Sequence, residues 1–280
     1  MEVNKEQKEF WNEHMGDLWV ELQPRIDPML LVFNQKLLDV LNIRPGERAL
    51  EIGCGTGTTT LKAAKRLGPS GSIHAVDFSR PMIGKAKERA KEASLENITF
   101  VEADAQEYEY PFKEFDLAYS RFGVMFFENP VRAFSRILDA MKPGGRLGYV
   151  CWADKNKNAW IYEPAQVAKE FLELPKPPGE DEPGMFSMSR EERIRKILDK
   201  AGWSDIRVEA FESINTIGKD ADDAAEFISK VGPMAQPFSE AGNDLKEKTL
   251  EALRSFLKAH EESSGVMLGF CNWIVTASRP

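Results

Sequence analysis

Three glycines at alternate positions, Gly53, Gly55 and Gly57, follow a short apolar run at residues 48–52 and precede a stretch of helical periodicity at residues 58–67. The pattern predicts a buried strand that turns sharply into a helix. Backbone N–H groups and the positive end of the helix dipole then lie beside the turn, where they can bind a polar part of a ligand. Glycine is needed there because a Cβ atom would block the turn or the ligand. A tight turn without any ligand is the alternative for this stretch alone.

The spacing of these glycines separates two classes of nucleotide-binding loop. The dinucleotide fingerprint is G-x-G-x-x-G, but here the third glycine comes one residue early, and Thr58 stands where the fingerprint has glycine. This spacing argues against a pyrophosphate-binding loop. An NAD-dependent oxidoreductase therefore stays only as an alternative enzyme class.

Three acidic residues, Glu51, Asp77 and Asp104, fall at the carboxyl ends of successive predicted strands, where parallel sheets bind ligands. Asp77 can accept hydrogen bonds from both hydroxyls of a ribose. Asp104 can accept one from an adenine amino group, while the Ala105 N–H donates to a ring nitrogen. Glu51 lies behind the glycine loop, where it can hold the loop or a water. Each acid alone could equally be an ordinary cap or strand-end carboxylate, but all three in register with the loop indicate an adenosine site.

Strand and helix patterns alternate from residue 48 onward, which predicts a parallel sheet with helices on both faces. The predicted strands are residues 48–52, 72–76, 97–102, 115–119, 146–152, 206–211 and 266–276. The predicted helices of this part are residues 58–67, 81–90, 130–141, 189–201, 220–230 and 243–260. The last two helices form an insertion between the final two strands, which we expect over the carboxyl-end face of the sheet.

Residues 1–45 precede this alternation and contain two predicted helices, at about residues 6–15 and 29–41. The aromatic residues Trp11 and Trp19 lie in this region. They either pack an N-terminal helix onto the domain or belong to a lid over a bound ligand.

Composition excludes several functions. The chain has 280 residues and a net charge of −8, with basic and acidic residues interleaved, which argues against a nucleic-acid-binding surface. We find no apolar run that reaches the roughly 18 residues of a membrane span, and the polar start of the chain is not a secretory signal.

The cysteines and histidines are scattered singly. The three cysteines, Cys54, Cys151 and Cys271, form no C-x-x-C pair, which predicts neither a zinc site nor disulfides and favours a reducing, cytoplasmic location. The three histidines are equally dispersed, so we predict no metal site.

Residues 46–152 resemble the class I S-adenosylmethionine (SAM)-dependent methyltransferases, most closely the small-molecule branch that includes the ubiquinone and menaquinone C-methyltransferases. The resemblance is carried by residues 50–57, 75–79, 102–105, 115–120 and 141–145. It implies a Rossmann-like α/β fold with a seven-stranded sheet. We expect one domain overall, made of an N-terminal helical lid (residues 1–45), a SAM-binding core (46–152) and a remainder with acceptor-site loops and a helical insertion (153–280).

The resemblance also implies roles for individual residues. The glycines would pass under the methionine part of SAM, and Asp77 would bind the ribose. Phe78 and Met82 would pack on the adenine, and the Ser120 carbonyl would meet the cofactor's amino group. The implied cofactor-binding residues are Trp19, Glu51, Gly53, Cys54, Gly55, Thr56, Gly57, Asp77, Phe78, Met82, Asp104, Ala105 and Ser120.

The chemistry of SAM explains why we find no nucleophile motif. The sulfonium methyl group is already activated, so the protein must orient the acceptor, exclude water and, for some acceptors, remove a proton. Two residues are candidates for catalytic roles. His14 is the best-placed base if the N-terminal helix covers the site, but it could simply pack. Arg121 either binds an acidic group of the acceptor or forms a structural ion pair.

The resulting prediction is a SAM-dependent methyltransferase acting on a small-molecule acceptor, with S-adenosylhomocysteine as product. Two alternatives stay open, an NAD-dependent oxidoreductase and a non-catalytic SAM-binding protein. The acidic net charge speaks against an RNA substrate. The methylated atom and the oligomeric state stay open, and a homo-oligomer is compatible with the sequence.

Overall fold

The computed structural model describes residues 4–179 and 182–280, apart from the side chain of His14. The chain divides into two compact units. The first comprises Met1–Cys151, Glu182–Glu209 and Trp273–Pro280, and the second comprises Trp152–Asp181 and Ala210–Asn272.

The strands form a sheet with the order β3-β2-β1-β4-β5-β8-β6, and the short strand β7 pairs with β8. The strands are β1 (Arg48–Ile52), β2 (Ser72–Asp77), β3 (Ile98–Glu102), β4 (Phe115–Arg121), β5 (Met141–Trp152), β6 (Ser204–Gly218), β7 (Glu261–Glu262) and β8 (Gly265–Ser278). Strands β1 to β5 pair in parallel. This confirms the predicted Rossmann-like fold. The strand order reverses between β1 and β4, so ligands are expected beyond the carboxyl ends of these two strands.

Helices of the first unit pack on this sheet. They are α1 (Lys5–Glu9), α2 (Met15–Met29), α3 (Leu31–Leu41), α4 (Thr58–Leu67), α5 (Arg80–Glu92), α6 (Pro130–Ala140) and α8 (Glu191–Lys200), with a π-helix at Phe10–His14 between α1 and α2. Apolar side chains at helical spacing drive the packing: α4 buries Ala63, Ala64 and Leu67, and β1 buries Leu50 and Ile52 between the helical layers.

The N-terminal helices differ from the prediction of two helices at about residues 6–15 and 29–41. Helix α2 continues through Pro24 and Pro28, although each proline lacks the N–H that a helix interior uses. Leu22 and Ile26 are buried on one face of α2, so packing outweighs the local cost of the prolines.

Strand β5 begins five residues before its predicted start at Arg146. The Gly144 N–H donates to the Arg279 carbonyl (3.2 Å), and the Arg279 N–H donates to the Gly145 carbonyl (2.7 Å). The strand extends because its backbone finds partners near the end of the chain, which no local pattern indicates.

The second unit contains the helices α7 (Ala159–Ala168), α9 (Ala221–Ile228), α10 (Ala235–Glu240) and α11 (Asn243–Lys258). Its core includes the rings of Trp152, Trp160 and Phe270, with Trp160 stacked on Phe270 at 5.1 Å between ring centroids. Asn158 joins two segments, because its side chain donates to the Cys271 carbonyl (2.9 Å) and accepts from the Cys271 N–H (3.0 Å). The expected position of these helices over the carboxyl-end face stays a prediction.

Candidate active site

The glycine loop connects β1 to α4 and has the backbone that its glycines allow. Gly53, Gly55 and Gly57 all have positive φ, at 68°, 52° and 83°. A Cβ atom on Gly53 would lie 2.8 Å from the Cα atom of Gly123, in the segment after β4. Within the part of the chain that the structure describes, no side chain caps the N-terminus of α4. Its first N–H groups are therefore available to a polar ligand.

Asp77, at the end of β2, is buried and tied to the glycine loop. Its carboxylate accepts hydrogen bonds from the backbone N–H groups of Gly55 and Ser79, both at 2.8 Å. Burial raises the pKa of Asp77, and hydrogen bonds from these N–H groups and that of Phe78 oppose the shift. Each carboxylate oxygen accepts one backbone N–H and retains acceptor capacity for a ligand hydroxyl.

Asp104 lies just beyond β3 and is held by the N-terminal segment. It accepts from the Gln106 N–H (2.9 Å) and from the Asn4 side-chain amide at 3.1 and 3.0 Å. Asn4 is itself buried and exchanges two hydrogen bonds with Glu128, at 2.9 and 3.2 Å. The next residue, Ala105, is buried, and its carbonyl accepts from the Tyr110 hydroxyl (2.6 Å).

Glu51 is fully buried behind the loop, where the Tyr119 hydroxyl donates to it at 3.0 Å. Burial raises its pKa to about 8, so it is mainly protonated at neutral pH. The Cys54 thiol is also buried, and burial together with the charges of Asp77 and Glu51 holds its pKa well above the ordinary value. Cys54 is therefore not an activated nucleophile.

The π-helix of the N-terminal region docks on the segment after β2. The Ser79 hydroxyl donates to the Trp11 carbonyl, and the Asn12 amide donates to the Phe78 carbonyl, both at 2.9 Å. Gly16 is required for this contact, because a Cβ atom there would lie 2.3 Å from the Trp11 oxygen and 2.8 Å from Ser79 Oγ. The N-terminal segment is thus fitted closely to the end of β2.

An aromatic cluster lies in the same region. The ring of Trp11 makes edge contacts with Trp19 and Phe126, at 5.4 and 5.5 Å between centroids. The Met82 sulfur would lie 3.8 Å from a Cβ on Gly55, so Met82 borders the glycine loop. Phe126 belongs to the short 3-10 turn that follows β4.

Ser120 and Arg121 end β4 and tie it to the loop. The Ser120 hydroxyl donates to the Ile52 carbonyl (2.7 Å) and accepts from the Gly123 N–H (3.1 Å). Arg121 Nε donates to Thr59 Oγ1 (3.1 Å), and its Nη2 lies 4.0 Å from Asp27 Oδ1. Burial lowers the pKa of Arg121, opposed by nearby acids. Among the two roles weighed for Arg121, this geometry favours the structural ion pair.

His14 is the last residue of the π-helix, but its side chain lies outside the described residues, so its role as a base stays a prediction. Across residues 4–179 and 182–280 we find no group of three or more His, Cys, Asp or Glu side chains that could hold a metal ion.

Known proteins share this core. Residues 49–145 match the family model described as "Methyltransferase domain". Aklanonic acid methyltransferase DauC from Streptomyces sp. (strain C5) is 35% identical over 115 residues, 41% of this chain and 52% of the relative. The chain therefore spans about half the length of that protein. Demethylmenaquinone methyltransferase from Staphylococcus aureus (strain JH9) is 27% identical over 190 residues, 64% of this chain and 77% of the relative.

The fold has solved counterparts. Haemonchus contortus phosphoethanolamine N-methyltransferase 2, in complex with S-adenosyl-L-methionine, superposes with a TM-score of 0.59 at 20% identity, covering 98% of this chain and 60% of that chain. Residues 49–145 of this chain carry a methyltransferase domain. The similarity of sequence extends over the glycine loop and the acidic strand ends that the structure brings together.

The residues of the methyltransferase domain fit SAM. The Asp77 carboxylate faces the glycine loop, and no side chain of the described residues caps the N-terminus of α4, so its first N–H groups can bind a polar group of SAM. The structure brings the loop, Asp77 and Met82 together. The individual cofactor contacts stay predictions.

Three residues of the methyltransferase site escaped the sequence analysis. Gly123 has a detectable signal, because it is a glycine two residues after the end of β4. Asn4 and Asp27 have none, since their partners are 100 and 31 residues away in the chain.

Proposed function

We propose that the methyltransferase domain transfers the methyl group of SAM to a small, flat or largely apolar acceptor. The observation that carries the proposal is Asp77, whose carboxylate is buried at a strand end and fixed by two N–H groups, one of them from the glycine loop. A carboxylate fixed in this way is a prepared acceptor for two vicinal hydroxyls, which the ribose of SAM supplies.

The remaining contacts follow from the same geometry. Asp104 and Ala105 would hold the adenine edge, with Phe78 and Met82 beside the ring. The glycine loop and the Ser120 carbonyl would face the amino-acid part. SAM, when bound, supplies an electrophilic methyl group, so the protein's own task is to orient and enclose the acceptor.

The aromatic cluster supports an apolar acceptor. Trp11, Trp19 and Phe126 pack edge to face, and such a surface excludes water and binds flat molecules. Two relatives are named for aklanonic acid and demethylmenaquinone. Acceptors of a similar flat character are the first to test.

Proton removal is assigned to His14 in this proposal, and only for acceptors that carry an acidic proton. The neutral thiol of Cys54 supports direct transfer without a covalent enzyme intermediate. Whether the acceptor atom is oxygen, nitrogen or carbon follows from the acceptor and not from these side chains.

We also propose a cytoplasmic location, which the three free, buried cysteines support. Among the described helices none is long and apolar enough to cross a membrane. Light scattering on the purified chain will show whether it forms the homo-oligomer that the sequence allows.

Calorimetry tests the cofactor assignment. We expect S-adenosylhomocysteine to bind the full chain and NAD to release no heat. A screen of quinone, phenol and amine acceptors with methyl-labelled SAM then tests transfer. Binding of NAD in preference to S-adenosylhomocysteine would reject the proposal, and binding without transfer to any acceptor would favour a non-catalytic SAM-binding protein.

A further inference from the structure

Asp27, near the end of α2, connects the N-terminal helices to the glycine loop. Both of its carboxylate oxygens lie 2.6 Å from the Thr58 hydroxyl, which donates to them. Arg89, on α5, donates to Asp27 Oδ2 at 3.0 Å, and Gln23 donates to the same oxygen. The Asp27 and Arg89 side chains are 15% and 20% exposed, so this ion pair is largely shielded from water.

Arg89 also holds the loop itself. Its Nη1 donates to the Thr56 carbonyl at 2.8 Å and to the Thr58 hydroxyl at 2.9 Å. Thr56 and Thr58 flank Gly57, the left-handed residue that begins α4. The guanidinium fork therefore spans the last turn of the glycine loop, and Asp27 fixes the fork from the other side.

The charges of this cluster suit an anionic ligand group. Arg121 lies 4.0 Å from Asp27, so two guanidinium groups flank one carboxylate beside the N-terminus of α4. Asp27 alone would repel an anion there. Arg89 and Arg121 set two positive charges against the one negative charge of Asp27.

We propose that Asp27 is a positioning residue for the methionine end of the SAM site, acting through Thr58 and Arg89 on the glycine loop. This inference rests on the proposed function. Helix α2 then helps to shape the glycine loop, in addition to any role as a lid over the bound ligand.

The chain offers a matched control. Asp39, on α3, pairs with Arg66 of α4 at 2.8 Å, and this pair also joins an N-terminal helix to a core helix. The Asp39 and Arg66 side chains are 59% and 37% exposed, and the pair lies at the opposite end of α4 from the glycine loop. An exposed pair of this kind contributes little to stability.

The experiment compares two ligands by calorimetry on the full chain. S-adenosylhomocysteine carries the amino-acid part, whereas 5′-methylthioadenosine has the same adenosine and sulfur without it. We expect Asp27→Ala to weaken S-adenosylhomocysteine binding at least tenfold and 5′-methylthioadenosine binding less than twofold. Asp39→Ala should change neither by more than twofold. Asp27→Asn serves as the second variant if Asp27→Ala fails to fold, with the same expected direction.

Equal weakening of both ligands by the Asp27 variants would show a general structural role and overturn the inference, as would unchanged binding of both. If the wild-type chain binds neither ligand, the proposed function itself fails. Arg89→Lys adds a further test: it keeps the charge but loses the fork, so it should weaken S-adenosylhomocysteine binding selectively, and normal binding would contradict the positioning geometry.

Discussion

Two acids at neighbouring strand ends, Asp77 and Asp104, are held in opposite ways. Asp77 is fixed by N–H groups of the core, one from the glycine loop after β1 and one from the turn after β2. Asp104 takes one N–H from its own turn, but its other donor is the side chain of Asn4, in the N-terminal segment. The ribose end of the proposed site therefore belongs to the sheet, whereas the adenine end is shared with the N-terminal helices.

The contrast separates what a local motif specifies from what tertiary contacts add. A site held by its own turns should persist when the N-terminal segment moves, while a site that shares a carboxylate with that segment should respond to it. The predictions below test this difference, beginning with the largest expected effect.

Asp77→Ala should weaken S-adenosylhomocysteine binding at least a hundredfold while the protein stays folded. Two hydrogen bonds to a charged group are worth about 3 to 6 kcal/mol in total. Calorimetry measures the affinity and circular dichroism the fold. Asp116→Ala is the control, because Asp116 also accepts a backbone N–H, from Arg48 at 2.8 Å, but at the amino-terminal ends of β1 and β4, away from the glycine loop. Wild-type affinity in Asp77→Ala would refute the ribose assignment.

The third acid, Glu51, is buried in the core, and its raised pKa should make the stability of the fold depend on pH. Its folded pKa of about 8 lies above the ordinary value of 4.5, so its contribution to the free energy of unfolding is complete below pH 4.5 and is lost as pH rises through 8. The slope reaches at most about 1.4 kcal/mol per pH unit. Denaturant titrations between pH 5 and 8 should show this slope in the wild type and a flatter one in Glu51→Gln.

Glu47→Gln is the control for this slope. Burial alone would raise the pKa of Glu47. Hydrogen bonds from the Arg146 side chain and the Arg44 N–H outweigh burial and hold this pKa below its ordinary value. The contribution of Glu47 to the free energy of unfolding is therefore present at pH values above its ordinary pKa of 4.5 and is lost as the pH falls below it. Glu47→Gln should keep the wild-type slope between pH 5 and 8. An identical slope in wild type and Glu51→Gln would contradict the raised pKa.

Deletion of residues 1–25 removes the Asn4 and π-helix contacts but keeps Asp77 and its donors. We expect S-adenosylhomocysteine to dissociate at least tenfold faster and methyl transfer to be lost, whereas ribose recognition persists as measurable binding of adenosine. Stopped-flow dissociation and a thermal melt distinguish this result from unfolding. A truncated chain with full activity would eliminate the lid.

Asn4→Ala is the smallest change and the sharpest test of the adenine end. Loss of the Asn4 side chain removes its hydrogen bonds to the Asp104 carboxylate and from the Glu128 N–H, while the Asn4 backbone N–H still donates to the Glu128 carboxylate. We therefore expect about threefold faster dissociation of S-adenosylhomocysteine, or about 0.7 kcal/mol. Asn12→Ala, which loosens the π-helix at the ribose end, is the comparison. Slower dissociation in Asn4→Ala would mean that Asn4 competes with the ligand for Asp104.

Much of the core fold was predictable because its signals are local. The strand at residues 48–52 was predicted with its observed ends, since an apolar run stops at a glycine. Strand β6 was predicted over residues 206–211 but extends from Ser204 to Gly218, because pairing with a partner strand prolongs it beyond its apolar run. The extension of β5 to Met141 has the same cause.

The residues of the candidate site also differ in whether a local sequence pattern indicates them. The glycines and Asp77 were found because the turn that needs them is contiguous in sequence. Asn4 and Asp27 were missed because their hydrogen bonds join segments far apart in the chain, and a single Asn or Asp in a helix-rich region has no distinguishing pattern. Arg121 was noticed, but its partner Asp27 had to be seen before its two roles could be told apart.

The contact between Gly53 and Gly123 constrains any redesign of the glycine loop. A methyl group at position 53 would meet the Cα of Gly123 at 2.8 Å, and one at position 123 would meet the Cα of Gly53 at 2.9 Å. Because each clash is with the backbone of the other residue, a substitution at one position cannot be relieved by changing the side chain at the other. Both positions therefore require glycine. Mutant libraries that aim to admit bulkier cofactor analogues should leave both glycines intact and vary Met82, whose unbranched thioether tolerates replacement.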